Sequence, residues 1–295
     1  MGSNPTGPTS ITPAPKSQLV NYALFLKREG YRPSTISRHV RALKPLSLED
    51  PELAKQQLSE RECQQSSKEV IANAMAKYYE YLKVPFSKPI YQRVERLAFL
   101  PYEEEVIQLI SELPKSKAAF CQLLRETGVR AGEAFQLRWV DISNGTVNIV
   151  PEKNSKPRQF QLSPKLLTMI NLLPRKGERI WNANPHHFCD NFYRQRKAIA
   201  SKLGNPRINS IHFHTFRHLK ASREYHRTKD LVYVQRILGH RSISSTLKYI
   251  QLQSFENEEF TCKAGKTQEE CMKLIEGGFD FITEIEGVKL FRKRK

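Results

Sequence analysis

Between residues 212 and 250 the chain carries side chains that could together act on an anionic centre. His214 and Arg217 are three residues apart, so on a helix they share one face. Leu238-Gly239-His240 begins 21 residues after Arg217, and Tyr249 stands nine residues past His240. Upstream, Thr127-Gly128-Val129-Arg130-Ala131-Gly132-Glu133 sets an arginine at a helix start, directly after a glycine turn. Lys153 and Lys156 fall in a hairpin loop. Two guanidiniums can clamp the oxygens of a phosphodiester bidentately. A phenol, with an unperturbed pKa of about 10, needs help to lose its proton before it can attack. Plainer roles stand beside these. Tyr249 is one of 11 tyrosines and alone would read as an amphipathic core residue. His214 has His212 and His218 close by, Glu133 could orient Arg130 or simply pack, and either lysine could serve.

The elements that must hold these residues are mostly helical. Leu19, Tyr22, Ala23 and Leu26 form an apolar stripe that ends at Gly30. Pro33-Ser34 then opens a second helix with Ile36, Val40 and Leu43 on one face and Arg38, Arg41 and Lys44 on others. A third helix is predicted from about Ser67 to Lys83. Prolines and charges between Val84 and Leu100 read as an interdomain linker. Helices resume at Pro101 and at Ser116, the latter stopping at Gly128. From Val140 to Leu162 the period becomes two, around an Asn144-Gly145 turn, which predicts a small antiparallel sheet. Ser163-Pro164 starts helices again. Asn184–Leu203, with Arg194, Arg196 and Lys197, reads as a helix lying near DNA. Beyond Gln253, Thr267 with Glu270 caps a short helix ending at Gly277-Gly278, flanked by strand-like Phe260–Lys263, Phe279–Ile285 and Val288–Phe291. The expected fold class is therefore mainly α with a small antiparallel β-sheet, the catalytic half being α+β. The domains expected are a disordered arm at 1–16, a helical DNA-binding domain at 17–85, a linker at 86–100, a catalytic domain at 101–252 and a tail at 253–295.

Charge points to the partner. The 295 residues carry 48 Lys and Arg against 30 Asp and Glu, a net +18. Residues 253–295 hold 8 basic against 9 acidic side chains, so the excess lies in the body of the chain. Such an excess is the footprint of a protein that binds a polyanion. No apolar run approaches the length of a membrane span, and Met1–Ser17 lacks the apolar core of a secretory signal. Gly2 and Thr6 satisfy only a loose myristoylation pattern. Five cysteines without paired spacing argue against a disulfide framework and for a reducing, cytoplasmic setting. His186-His187-Phe188-Cys189 lacks a partner pair at ligand spacing, so no metal site is expected.

Taken in order, these motifs resemble the signature of the tyrosine recombinase (phage-type integrase) family, over about Pro101 to Leu252. The matching features are an arginine in TGxRxxE, a hairpin lysine, HxxR, a GH pair and a tyrosine nine residues on. The helical amino-terminal half is similar to the core-binding domain of phage integrases and Xer recombinases, and the long tail resembles those of archaeal mobile-element integrases. The resemblance implies catalytic roles for Arg130, Lys153, His214, Arg217, His240 and Tyr249. Arg130 and Arg217 would hold the phosphate, His214 would take the phenolic proton, Lys153 would protonate the departing 5′ oxygen, and His240 would bond a phosphate oxygen or place Tyr249. Lys156 is the alternative acid. DNA contacts are expected from Arg38, Arg41, Lys44, Lys156, Arg158, Arg194 and Lys197. The implied activity is site-specific cleavage and rejoining of duplex DNA through a 3′-phosphotyrosyl intermediate, by a homo-oligomer that is tetrameric at synapsis. No cofactor, metal or membrane partner is implied. A type IB topoisomerase uses nearly the same chemistry, but the GH pair and the TGxR context favour a recombinase. A non-catalytic DNA-binding protein of the same fold is disfavoured by the intact set of catalytic residue types.

Overall fold

Helix starts in this chain are set by caps and prolines. In the computed structural model, which describes residues 16–92, 97–152, 155–247, 260–285 and 287–294, the chain divides into two compact units, Met1–Arg96 and Leu97–Lys295. Residues 1–15 of the expected arm, together with Lys153 and Tyr249, lie outside the described residues.

The first unit contains α1 (Lys16–Arg28), α2 (Pro33–Leu43), α3 (Pro51–Glu60) and α4 (Gln65–Leu82). Pro33 occupies the first turn of α2, where a missing N–H costs nothing. Helix α3 was not among the expected elements. Asp50 caps it by accepting from the N–H groups of Glu52 at 2.9 Å and Leu53 at 3.2 Å, with Pro51 next in line. Leu19, Tyr22 and Leu26 pack with Leu43, Met75 and Tyr78 in one core, while Ala23 of the predicted stripe is only half-buried. The Tyr79 hydroxyl donates to the Leu48 carbonyl at 3.2 Å, so this buried phenol is satisfied. Arg38, Arg41 and Lys44 are exposed.

The second unit is built on α6 (Lys115–Thr127), buried along most of its length from Ala118 to Leu124. Such all-round burial suits a helix at the centre of a packed domain. Around it lie α5 (Glu103–Glu112), α7 (Ala131–Gln136), α8 (Pro164–Asn171) and α10 (Phe213–Thr228), with α9 (Pro185–Lys202) packed against α5. Phe120 of α6 meets Trp181 edge-on at 5.1 Å and Phe213 at 5.0 Å, joining α6 to the start of the HxxR helix. Strands β1 (Ile142–Ser143), β2 (Thr146–Ile149) and β3 (Arg158–Gln161) form the expected antiparallel sheet, in that order. Val147 and Ile149 point into the core, as alternation requires. Helices α11 (Leu231–Leu238) and α12 (Ser244–Leu247) follow α10. The tail folds as predicted into β4 (Phe260–Gly265), α13 (Gln268–Glu276), β5 (Asp280–Ile285) and β6 (Val288–Arg294), with sheet order β4-β6-β5. Thr267 and Glu270 form the predicted capping box.

Candidate active site

Two left-handed glycines turn helix ends towards one another. Helix α6 stops at Gly128 (φ 66°) and α11 at Gly239 (φ 67°), both in the conformation that favours glycine. Their neighbouring carbonyls receive one guanidinium. Arg217 of α10, 1% exposed, donates through Nη1 to Gly128 O and through Nη2 to Leu238 O, each at 2.7 Å. Both acceptors lie at helix C-termini, where the macrodipole favours a cation. The bonds fix the plane of the guanidinium and tie α10 to α6 and α11.

Arg130 caps α7. Its backbone N–H donates to Glu133 Oε2 at 2.9 Å, and its Nη1 reaches Glu133 Oε1 at 3.3 Å and Ser155 Oγ at 2.9 Å. Glu133 is fully buried as a side chain and also pairs with Arg158. Arg158 in turn donates to Ser155 Oγ at 2.7 Å and to Leu238 O. The sequence placed Arg158 against DNA. Its side chain is instead 4% exposed and engaged with these internal partners. Burial lowers its pKa, with Glu133 opposing that shift, and a guanidinium stays charged in proteins nonetheless. Arg130 and Arg158 thus share one carboxylate, and Arg158 shares the Leu238 carbonyl with Arg217. Arg158 and Arg217 are held almost wholly out of water, where a charge costs heavily unless it is paired. Arg130, with 29% of its side chain exposed, is the member of the group most open to solvent. The arrangement is suited to receive an anion.

Two imidazoles of the expected set belong to the elements that carry this group, His214 to α10 and His240 to the GH turn. His214 lies one turn before Arg217 on α10, exposed, with its ring 4.6 Å from that of His218. His212 caps the same helix but is committed elsewhere. Its Nδ1 is 3.0 Å from Arg196 Nη1, and burial, then Arg196, pulls its pKa down. His240 directly follows Gly239, is buried, and has Nδ1 2.9 Å from Thr246 Oγ1. That bond ties the GH turn to α12, which ends two residues before Tyr249.

The hairpin also comes to this point. Ser155 Oγ donates to Gly239 O at 3.0 Å and the Lys156 N–H donates to the same carbonyl at 3.1 Å. The Lys156 side chain is exposed. Arg194 and Lys197 are exposed on α9, whereas Arg196 is buried with Nη1 on the Ile211 carbonyl at 2.7 Å. The structure thus brings together Arg130, Arg217, the base of the lysine hairpin and the GH turn. Sequence reasoning missed Ser155 and Thr246, and it gave Arg158 the wrong surroundings. Neither hydroxyl carries a motif of its own. Among the described residues no group of three or more His, Cys, Asp or Glu converges in a way that could hold a metal ion, and no helix is long and apolar enough to cross a membrane.

The chain matches the Phage integrase family over residues 101–256. Tyrosine recombinase XerA of Pyrococcus furiosus is 29% identical over 164 residues, covering 51% of this chain and 56% of that protein. The integrase of Escherichia phage P2 is 29% identical over 147 residues, covering 50% and 41% respectively. The chain spans about half the length of these curated relatives. Among solved structures, a lambda integrase (75–356) dimer bound to a COC′ core site superposes with a TM-score of 0.64 at 16% identity, covering 82% of this chain and 97% of that one. XerH site-specific recombinase bound to difH, as a pre-cleavage complex, gives a TM-score of 0.57 at 19% identity, with 82% of each chain covered. At these identities the likeness is one of fold.

Proposed function

Because the chain belongs to the phage integrase family, we propose that it is a site-specific tyrosine recombinase that cleaves and rejoins duplex DNA with Tyr249 as its nucleophile. The observation that carries this reading is a linked set of three guanidiniums, Arg130 and Arg158 on the buried Glu133 carboxylate and Arg158 and Arg217 on the Leu238 carbonyl. Such a cluster is preorganised to hold a phosphate whose charge grows in the transition state.

In this proposal Arg130 and Arg217 hold the nonbridging oxygens of one backbone phosphate. His214 accepts the proton of the Tyr249 hydroxyl as the phenolic oxygen attacks phosphorus. The bond to the 5′ oxygen breaks and Lys153 supplies its proton, with Lys156 as the alternative. His240, oriented by Thr246, bonds a phosphate oxygen or helps place Tyr249. The product is a 3′-phosphotyrosyl ester. Because that ester keeps the energy of the broken bond, a free 5′ hydroxyl can reverse the step without ATP. The guanidiniums supply charge that a metal ion supplies elsewhere. Exposed Arg38, Arg41, Lys44, Lys156, Arg194 and Lys197 would meet backbone phosphates and set the register. Integration, excision and resolution are all exchanges this chemistry can perform. A tetramer across two sites is proposed as the working assembly, with support from a lambda integrase tetramer bound to a Holliday junction, which superposes with a TM-score of 0.60.

The test is to incubate the protein with a nicked suicide duplex and look for a covalent protein–DNA adduct that survives denaturation. Wild type should form it, and Tyr249→Phe should not. An adduct undiminished in Tyr249→Phe would end the proposal.

A further inference from the structure

One side chain outside the expected set has its entire hydrogen-bonding capacity used inside this site. Ser155 is 5% exposed. Its hydroxyl can donate one bond and accept two, and it has three partners. Arg130 Nη1 at 2.9 Å and Arg158 Nη1 at 2.7 Å can only donate to it, so both lone pairs are taken. The Gly239 carbonyl at 3.0 Å can only accept, so the proton points there. No freedom of assignment remains. The same residue fixes the hairpin. Its N–H reaches the Glu152 carbonyl at 3.3 Å, holding together the two residues that bracket positions 153 and 154, and the next N–H, of Lys156, shares the Gly239 carbonyl.

We propose that Ser155 is a positioning residue for strand cleavage: one hydroxyl holds the Arg130 guanidinium and anchors the base of the lysine hairpin to the GH turn. This rests on the recombinase reading above. A guanidinium held by Glu133 alone can swing about that carboxylate; a second acceptor 25 residues away in sequence removes the swing. Well-oriented groups gain rate because their ordering is settled before the reaction. Ser155 therefore acts on the rate of cleavage and not on DNA affinity, since it carries no charge and is shielded from solvent. The glycine of the GH pair fits the same device. A Cβ on Gly239 would lie 2.8 Å from Ser155 Oγ, so a larger residue would push the serine off its carbonyl.

The experiment uses the full chain and a nicked suicide duplex in two forms, one with an ordinary 5′ bridging oxygen and one with sulfur there, which leaves without being protonated. Ser155→Ala should bind DNA within threefold of wild type yet form adduct about 10- to 100-fold more slowly, less than the roughly 10²–10³ that losing a preorganised donor outright costs, because Arg130 is loosened and not removed. Ser155→Thr, which keeps the hydroxyl, should recover most of the rate. The sulfur substrate should restore part of the Ser155→Ala deficit, the part that reflects the hairpin lysine, and leave the part that reflects Arg130. If Ser155→Ala does not fold, Ser155→Cys, which keeps the shape but bonds weakly, should fold and cleave slowly. Cleavage by Ser155→Ala or Ser155→Cys within twofold of wild type overturns the proposal, as does a rate loss that only tracks lost DNA affinity. An absence of adduct with wild type would instead sink the recombinase reading itself.

Discussion

Replacing Arg217 by lysine keeps the charge of the site and removes its fork. The guanidinium is 1% exposed and bridges the Gly128 and Leu238 carbonyls at 2.7 Å each. An ammonium is a single point and can keep one of them. The bond lost has a charged donor, worth about 1.5–3 kcal/mol. Leu238 O retains its bond from Arg158, so a lysine that stays with Gly128 leaves no orphaned acceptor. The cost then sits near the lower end, about 1.5–2 kcal/mol. At roughly 2–4 °C per kcal/mol for a unit of this size, Tm should fall by about 3–8 °C. Cleavage should suffer far more. Losing one preorganised donor to the transition-state phosphate typically costs about 10²–10³ in rate. Charge is conserved, so the salt dependence of DNA binding should hardly move. Thermal melts, filter binding at several salt concentrations and adduct formation at saturating DNA measure the three quantities. An Arg217→Lys protein that cleaves at the wild-type rate would refute the reasoning, and so would one whose slow cleavage is explained by melting below the assay temperature.

Further outcomes follow from the same structure. Gly239→Ala must take a φ of 67° and bring a methyl group against the Arg158 guanidinium and Ser155, so it should lose about 2–3 kcal/mol of stability and most cleavage, read by urea titration and adduct yield. Glu133→Gln removes the carboxylate that Arg130 and Arg158 share and leaves Arg158 buried without its counter-ion; a loss of about 3–5 kcal/mol in urea is expected, and a change under 1 kcal/mol would contradict the pairing. Burial opposes the charged form of Glu105, but Arg207, the Tyr102 N–H and Asn205 outweigh it and hold its pKa below the usual carboxylate value. A depressed folded pKa adds stability that is full above the unfolded pKa, near 4.3, and fades as pH falls through the folded one. Glu105→Gln should therefore flatten the acid limb of a stability–pH curve and leave its shape above about pH 6 unchanged. Replacing Arg38, Arg41 and Lys44 with alanine should lower the slope of log affinity against log salt by about 3 if all three meet phosphates, as gel shifts across a salt series would reveal.

Much of this arrangement was legible in the residues. The HxxR pair shares a face because three residues make nearly a helical turn, and TGxR announced a helix end followed by a helix start. Asn144-Gly145 and alternating Val147 and Ile149 gave the sheet, and Thr267 with Glu270 gave the tail helix. Helix α3 was legible too, in Asp50-Pro51-Glu52, but its short apolar pattern did not stand out. The surroundings of Arg158 were not legible. A hairpin arginine looks solvent-facing until the fold brings Glu133 from 25 residues away and Leu238 from 80. Ser155 was hidden for the same reason, since its acceptor Gly239 lies 84 residues distant. Bonds across such separations depend on packing, and a lone serine or threonine leaves no periodic trace.

The central claim is that the Tyr249 phenol forms the bond to DNA. Trapping the protein on a suicide duplex, digesting both polymers and sequencing the nucleotide-bearing peptide by mass spectrometry tests it most directly. The account predicts one peptide, modified at Tyr249 by a 3′-linked nucleotide. A nucleotide on any other side chain, or cleaved DNA with no protein attached, would contradict it.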